Sequence, residues 1–256
     1  MSGAGPILIK LNELLSEGKK LIVADATSIT DIEQISLAVK KCDKRILPTG
    51  TAAGAQVFGK DWLSDIESEK ENVELPKLPK FIVSGTATQI TAEQITKLEQ
   101  SDDYENVNFI PLEVRDILCG IDDEFVSRII TNLKSGITVC VHTSHLITNF
   151  DGFSDDSQIA ELTKEKFASM ITDYLAELTK LVLSEINVSL ITLGGETSYK
   201  CCSKIDSKIL KIVDEVAPAI SICTDSNNHW IVTKSGNLGK SKTLIDILSY
   251  FSYHET

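Results

Sequence analysis

Apolar runs of strand length alternate with amphipathic stretches of helix length along this chain. Eight runs read as strands: 20–27, 44–50, 80–86, 106–112, 137–144, 188–194, 219–225 and 229–236. Several are apolar on successive residues instead of on every second one, the pattern of strands covered by helices on both faces of a largely parallel sheet. The gaps read as helices. The longest, 157–185, sets Ile159, Leu162, Phe167, Met170, Ile171, Tyr174, Leu175 and Leu178 at helical spacing and predicts a buried stripe. The fold class that follows is α/β: a three-layer αβα sandwich around a largely parallel sheet that leaves room for mixed pairing. Residues 60–79, acidic and closed by Pro76 and Pro79, read as a solvated excursion. No internal repeat and no low-complexity tract interrupts the pattern, so a single domain is expected over 1–256.

Composition narrows the class. At 256 residues, 42% hydrophobic and 24% charged, the chain can bury a core of ordinary size. It has no apolar run of about 18 residues, and Met1-Ser2-Gly3-Ala4-Gly5 lacks the basic start and apolar stretch of a signal peptide. A soluble, cytoplasmic protein without a membrane partner is expected. Cys42, Cys119, Cys140, Cys201, Cys202 and Cys223 show no C-x-x-C spacing and mostly sit in apolar stretches, which suits reduced core thiols. A formal net charge of −12 and the lack of a basic stripe argue against nucleic acid. A phosphorylated ligand would have to be held by backbone dipoles and hydroxyls, with a metal ion to help.

Chemistry concentrates where the strands stop. Four runs end in small or hydroxyl residues: Ser84-Gly85-Thr86, Thr143-Ser144, Gly194-Gly195-Glu196-Thr197, and Lys234-Ser235-Gly236-Asn237-Leu238-Gly239. In open α/β sheets ligands settle outside the carboxyl ends of the strands, so these loops are expected to converge. Glycines without Cβ let amides approach an anion, and a following helix offers free N–H groups with positive dipole character. At 194–198 this makes a phosphate seat, with Thr197 or Ser198 as cap and hydroxyl donor and Glu196 able to hold water on a metal or simply to cap. The same residues also suit a tight strand-to-helix turn with no ligand. The segment Gly239-Lys240-Ser241 imitates the tail of a Walker A motif without its spacing. Lys234 at a strand end reads either as solvated or as a phosphate neutraliser. His142 reads as a core or rim residue, and Asp25 either lines the cleft or caps the next turn. No Ser-His-Asp order or metal-ligand cluster stands out.

Taken together, "FIVSGTATQIT", "LITLGGETS" and "WIVTKSGNLG", in this order and at these separations, resemble the nucleotide-binding C-terminal half of the four-carbon acid sugar kinases. "KKLIVADATSITDIEQI" and "RILPTGTAAGAQVF" are similar to the same family, so the resemblance covers most of the chain. It implies ATP, with Mg²⁺, bound at Ser84, at Gly194, Gly195, Glu196 and Thr197, and at Gly236 or Gly239. It also implies phosphorylation of an acid such as threonate, erythronate or an oxo-tetronate. Where the family often continues with serines or a cysteine after the first loop, this chain has Thr86-Ala87-Thr88. The family's substrate domain, with an Asp-Asp-x-Thr-Gly motif near its start, has no counterpart in this sequence. The chain is therefore expected to be the nucleotide half of such a kinase, slow or inactive by itself. A non-catalytic nucleotide-sensing module and a binder of a small phosphorylated metabolite are the other readings.

Overall fold

The computed structural model describes residues 3–63, 73–85, 88–104, 106–147 and 163–256. Most of the acidic excursion (64–72), Thr86-Ala87, and the start of the expected long helix (157–162) lie outside the described residues. The chain divides into two compact units, Met1–Glu71 and Asn72–Thr256.

The first unit holds three helices, α1 (Ala4–Ser16), α2 (Ile29–Lys40) and α3 (Ala52–Trp62). A capping box starts α2: the Ser28 hydroxyl accepts from the Asp31 amide at 3.2 Å and the Asp31 carboxylate accepts from the Ser28 amide at 2.9 Å. Bonds from Ser28 and Thr27 hold that carboxyl below its usual range. The Ser36 hydroxyl donates to Asp61 at 2.9 Å and ties α2 to α3. The strands expected at 20–27 and 44–50 do not form. Neither segment enters a ladder among the described residues, although both carry strand composition. β-Propensity registers fit to a half-buried sheet surface, and without a neighbouring strand it has nothing to act on. Leu21, Val23 and Leu47 are consequently left 87%, 82% and 89% exposed.

The second unit is built on seven strands: β1 (Lys80–Ser84), β2 (Val107–Pro111), β3 (Thr138–His142), β4 (Ser189–Leu193), β5 (Lys211–Ala217), β6 (Ile220–Thr224) and β7 (Trp230–Lys234). They form one sheet in the order β2-β3-β1-β4-β7-β6-β5, parallel from β2 to β7, with β6 and β5 added antiparallel. Consecutive apolar residues serve opposite faces. Phe81 and Val83 of β1 join Val139, Val141 and Leu190 under α6 (Asp123–Lys134), α7 (Lys164–Leu183) and α8 (Gly195–Lys204). Ile82 joins Cys140, Ile191 and Val232 under α4 (Gln89–Glu99) and α9 (Thr243–His254). This is the three-layer αβα sandwich. In α7, Phe167, Ile171, Tyr174, Leu175 and Leu178 are all buried, as the helical spacing required.

Strand β5 was not legible as a strand. It lies at the sheet edge, exposes Ile212, and carries Asp214 and Glu215, so it shows no apolar run. Those charges also discourage edge-to-edge pairing. A turn at Pro218-Ala219, with Ala219 at φ 61°, returns the chain into β6. Among the described residues no helix is long and apolar enough to cross a membrane.

Candidate functional site

Strands β1, β4 and β7 are adjacent and parallel, and their last residues are in register: Ser84 opposite Leu193, and Leu193 opposite Lys234. At about 4.8 Å per strand, the three loops that follow open side by side within about 10 Å. Ser84, Gly194, Gly195, Glu196, Thr197 and Gly236 thus start from one carboxyl edge of one sheet, and Gly239 follows in the third loop.

The middle loop is the best-formed element. Gly194 turns the chain at φ 113° and is the N-cap of α8, which receives no side-chain cap. Its own amide donates to the Lys234 carbonyl at 2.7 Å, tying the turn to β7. Gly195, Glu196 and Thr197 form the first turn, and none of their N–H groups finds an acceptor among the described residues. Thr197 is buried, yet its hydroxyl makes no hydrogen bond there. Ser198 is different: its hydroxyl donates to the Gly194 carbonyl at 2.8 Å and lies 2.8 Å from that of Thr192, so it fastens the turn from inside. The idea that Thr197 or Ser198 caps the helix is therefore corrected. Glycine caps it, and the donors of the first turn stay open. Lys200 holds α8 against α7 through Asp173 at 2.7 Å and the Ser169 hydroxyl at 2.9 Å.

The first loop presses on the second. A Cβ at Gly85 would come within 2.9 Å of Leu175 Cδ1, 3.0 Å of Thr197 Oγ1 and 3.1 Å of Ile171 Cγ2. Gly85→Ala should therefore cost about 1–3 kcal/mol of stability by overpacking. A urea titration showing no shift of the midpoint would contradict that contact. The Ser84 hydroxyl is fully buried and has no hydrogen-bond partner among the described residues, a state whose cost asks for an explanation.

Gly236 and Gly239 lie in the third loop, where Gly239 sits at φ 86° and a Cβ would meet Thr243 Oγ1 at 2.4 Å. Lys234 is neither solvated nor poised at the surface. It is fully buried, and burial depresses its ammonium to about 8. Thr88, Thr91 and Gln94 of the α4 segment bond to carbonyls of this loop, a role missed in the sequence. The available signal was polarity on an apolar face, since Thr91 and Gln94 share their side of α4 with Ile95 and Leu98.

The Thr143-Ser144 loop opens beside the first: His142 stands in register opposite Ser84, and the Thr143 amide donates to the Ser84 carbonyl at 3.1 Å. His142 is buried, with Nδ1 2.8 Å from the Ser144 hydroxyl, and burial, then His145, lowers it to about 4. Asp25 is exposed in the first unit. Cys201 and Cys202 are pushed up to about 12 and about 11 by burial, as packed thiols are. No group of three His, Cys, Asp or Glu able to hold a metal occurs among the described residues. A depression of about 410 Å³ lined by Lys80, Asp102, Asp103, Tyr104 and Thr138 lies at the opposite, amino edge of the sheet. Its acidic lining repels an anion.

A family model described as the nucleotide-binding C-terminal domain matches residues 81–244, more than half of the chain. A solved Haemophilus influenzae protein of family DUF1537 superposes with a TM-score of 0.68 at 18% identity, covering 97% of this chain and 58% of that one. A Salmonella typhimurium LT2 protein given a provisional tRNA-synthase name superposes at 0.64 with 18% identity, over 95% and 56%. A Bordetella bronchiseptica DUF1537 protein, a domain-swapped dimer with bound citrate, superposes at 0.51 with 15% identity, over 97% and 57%. The chain thus spans little more than half the length of these solved proteins. No curated protein matches it by sequence.

Proposed function

The chain belongs to the nucleotide-binding C-terminal domain family, and on that premise we propose that its second unit seats the phosphates of ATP across the ends of β1, β4 and β7. The open first turn of α8 carries this reading. Three uncommitted N–H groups at the positive end of a helix, beside the free hydroxyl of Thr197, form an anion site inside a protein of net charge −12. Ser84, with its orphaned buried hydroxyl at the end of the adjacent strand, supplies the first-loop donor. Gly236 and Gly239 let the third loop approach the same phosphates. Glu196, exposed in the first turn of α8, would hold water on a Mg²⁺ accompanying the triphosphate.

The finer reading is that this seat supplies the phosphoryl donor of a four-carbon acid sugar kinase, with a separate substrate domain holding the acid. The residues here bind and orient the phosphates, and their amides offset charge that develops on the transferring group. Exposed Leu21, Val23 and Leu47 are the apolar residues that such a partner domain would cover. Calorimetric titration with ATP, ADP and AMP tests the seat. Affinity should fall stepwise as phosphates are removed, because the contacts lie on phosphate; equal affinity for AMP and ATP would contradict it.

A further inference from the structure

Lys234 ends β7 with 0% exposure, and every partner of its ammonium among the described residues is neutral. It donates to the carbonyls of Ser235 at 3.0 Å, Leu238 at 3.2 Å and Gly236 at 3.5 Å, and to Thr91 Oγ1 at 3.2 Å. The Gly236 carbonyl also accepts from Thr88 at 2.7 Å and Thr91 at 2.8 Å. Gln94 donates to the carbonyls of Leu238 at 3.1 Å and Lys240 at 2.9 Å. Four carbonyls of the loop are thereby drawn toward Lys234 and α4.

In a trans peptide the N–H points opposite to the C=O, and no cis bond occurs among the described residues. The N–H groups of Gly236, Asn237, Gly239 and Ser241 follow those four carbonyls, so they point away from α4. None of them donates to a protein acceptor among the described residues. The start of α8 lies on that other side, since α8 and α4 cover opposite faces of the sheet. We infer that Lys234 is a positioning residue of the nucleotide site: it holds the loop carbonyls inward so that the amides meet phosphate, and its buried charge is neutralised by the bound phosphate. This rests on the nucleotide reading above.

Burial is the cause of the depressed Lys234 ammonium. The carboxylate, lysine and histidine side chains on the surrounding helices and loop are Glu93, Lys97 and Glu99 of α4, Glu196, Lys200 and Lys204 of α8, Asp246 and His254 of α9, and Lys240 and Lys242 of the loop; none pairs with it among the described residues. Strand β4 beside it has no ionisable side chain. A seated phosphate favours the charged form and raises the Lys234 pKa above about 8. Binding near and above that pH therefore takes up a proton, and affinity falls as pH rises. Stability has the opposite sign. The folded pKa lies below the unfolded 10.5, so burying the charge costs stability below about 8 and the cost is relieved as pH climbs toward 10.5.

The test is calorimetry of metal-free ATP from about pH 7.5 to 9.5 in buffers of different protonation enthalpy, a range where the terminal phosphate is already ionised. Wild-type protein should take up a growing fraction of a proton and lose at least about threefold in affinity across that range, as expected for one titrating charge. Lys234→Gln should bind at least about tenfold more weakly and take up none, because the loop loses ties that aim its amides and the phosphate loses a nearby positive charge. Lys234→Arg, which does not titrate there, should give a flat profile. Wild-type binding without proton uptake, or Lys234→Gln keeping both affinity and uptake, overturns the inference alone. No binding by the wild type at any pH removes the nucleotide reading and this inference with it. If Lys234→Gln melts below the working temperature, the wild-type uptake and the Lys234→Arg profile decide.

Discussion

Gly195→Asp should abolish nucleotide binding and leave the fold intact. Gly195 is the first helical residue of α8, and a Cβ built there meets nothing within 4 Å. Its backbone is outside the left-handed region, so any residue fits. A carboxylate in the first turn interacts well with the helix dipole, by about 0.3–1 kcal/mol, so melting should be unchanged or slightly raised. The same carboxylate sits where phosphate must come. An uncompensated clash and repulsion costs at least about 2 kcal/mol, roughly thirtyfold in affinity. Gly195→Ala, which adds bulk without charge, should lose less. Calorimetry and thermal melting on the three proteins check this. Equal affinities would dismiss the α8 turn as the seat, and a collapsed melting temperature in the Asp variant would contradict the open space seen at Gly195.

The second large effect concerns turnover. The chain alone should bind ATP weakly and phosphorylate four-carbon acids at no appreciable rate. Phosphoryl transfer needs an acceptor hydroxyl held in line at near-attack distance, and such positioning is worth roughly 7–11 kcal/mol. On the proposed reading the seat holds the donor side of that reaction. Closure of a substrate domain over the open edge would also exclude water and strengthen every amide contact. ATP consumption should therefore appear only when a separately made substrate domain of the family is mixed with the chain. Robust turnover by the chain alone would overturn the donor-half reading. ATP binding that stays unproductive after mixing would favour a regulatory module.

The sheet was readable because the strands under helices on both faces carry consecutive apolar residues, as in Phe81-Ile82-Val83 and Leu190-Ile191. β5 escaped because an edge strand with Asp214 and Glu215 has no such run. Segments 20–27 and 44–50 misled for the converse reason: composition reports what a residue would do inside a sheet, and those segments have no ladder partner among the described residues. At the site, Gly194 and Gly239 announced themselves because positive φ demands glycine. Lys234 did not. A lysine after an apolar strand is ordinarily solvated, and only the fold-over of the 235–240 loop, tied down by Thr88, Thr91 and Gln94, buries it. Ser198 looked like a cap by position, but its hydroxyl turns inward to Thr192 and the Gly194 carbonyl, a packing that sequence does not display.

The central claim is that nucleotide phosphates sit at the joined ends of β1, β4 and β7. Amide chemical-shift mapping during an ATP titration of the chain tests it most directly. The largest shifts should fall on the N–H groups of Gly195, Glu196, Thr197, Gly236, Asn237 and Gly239, the donors without acceptors among the described residues. Shifts confined to the amino-edge depression around Asp102 and Tyr104, with those six amides unmoved, would contradict it.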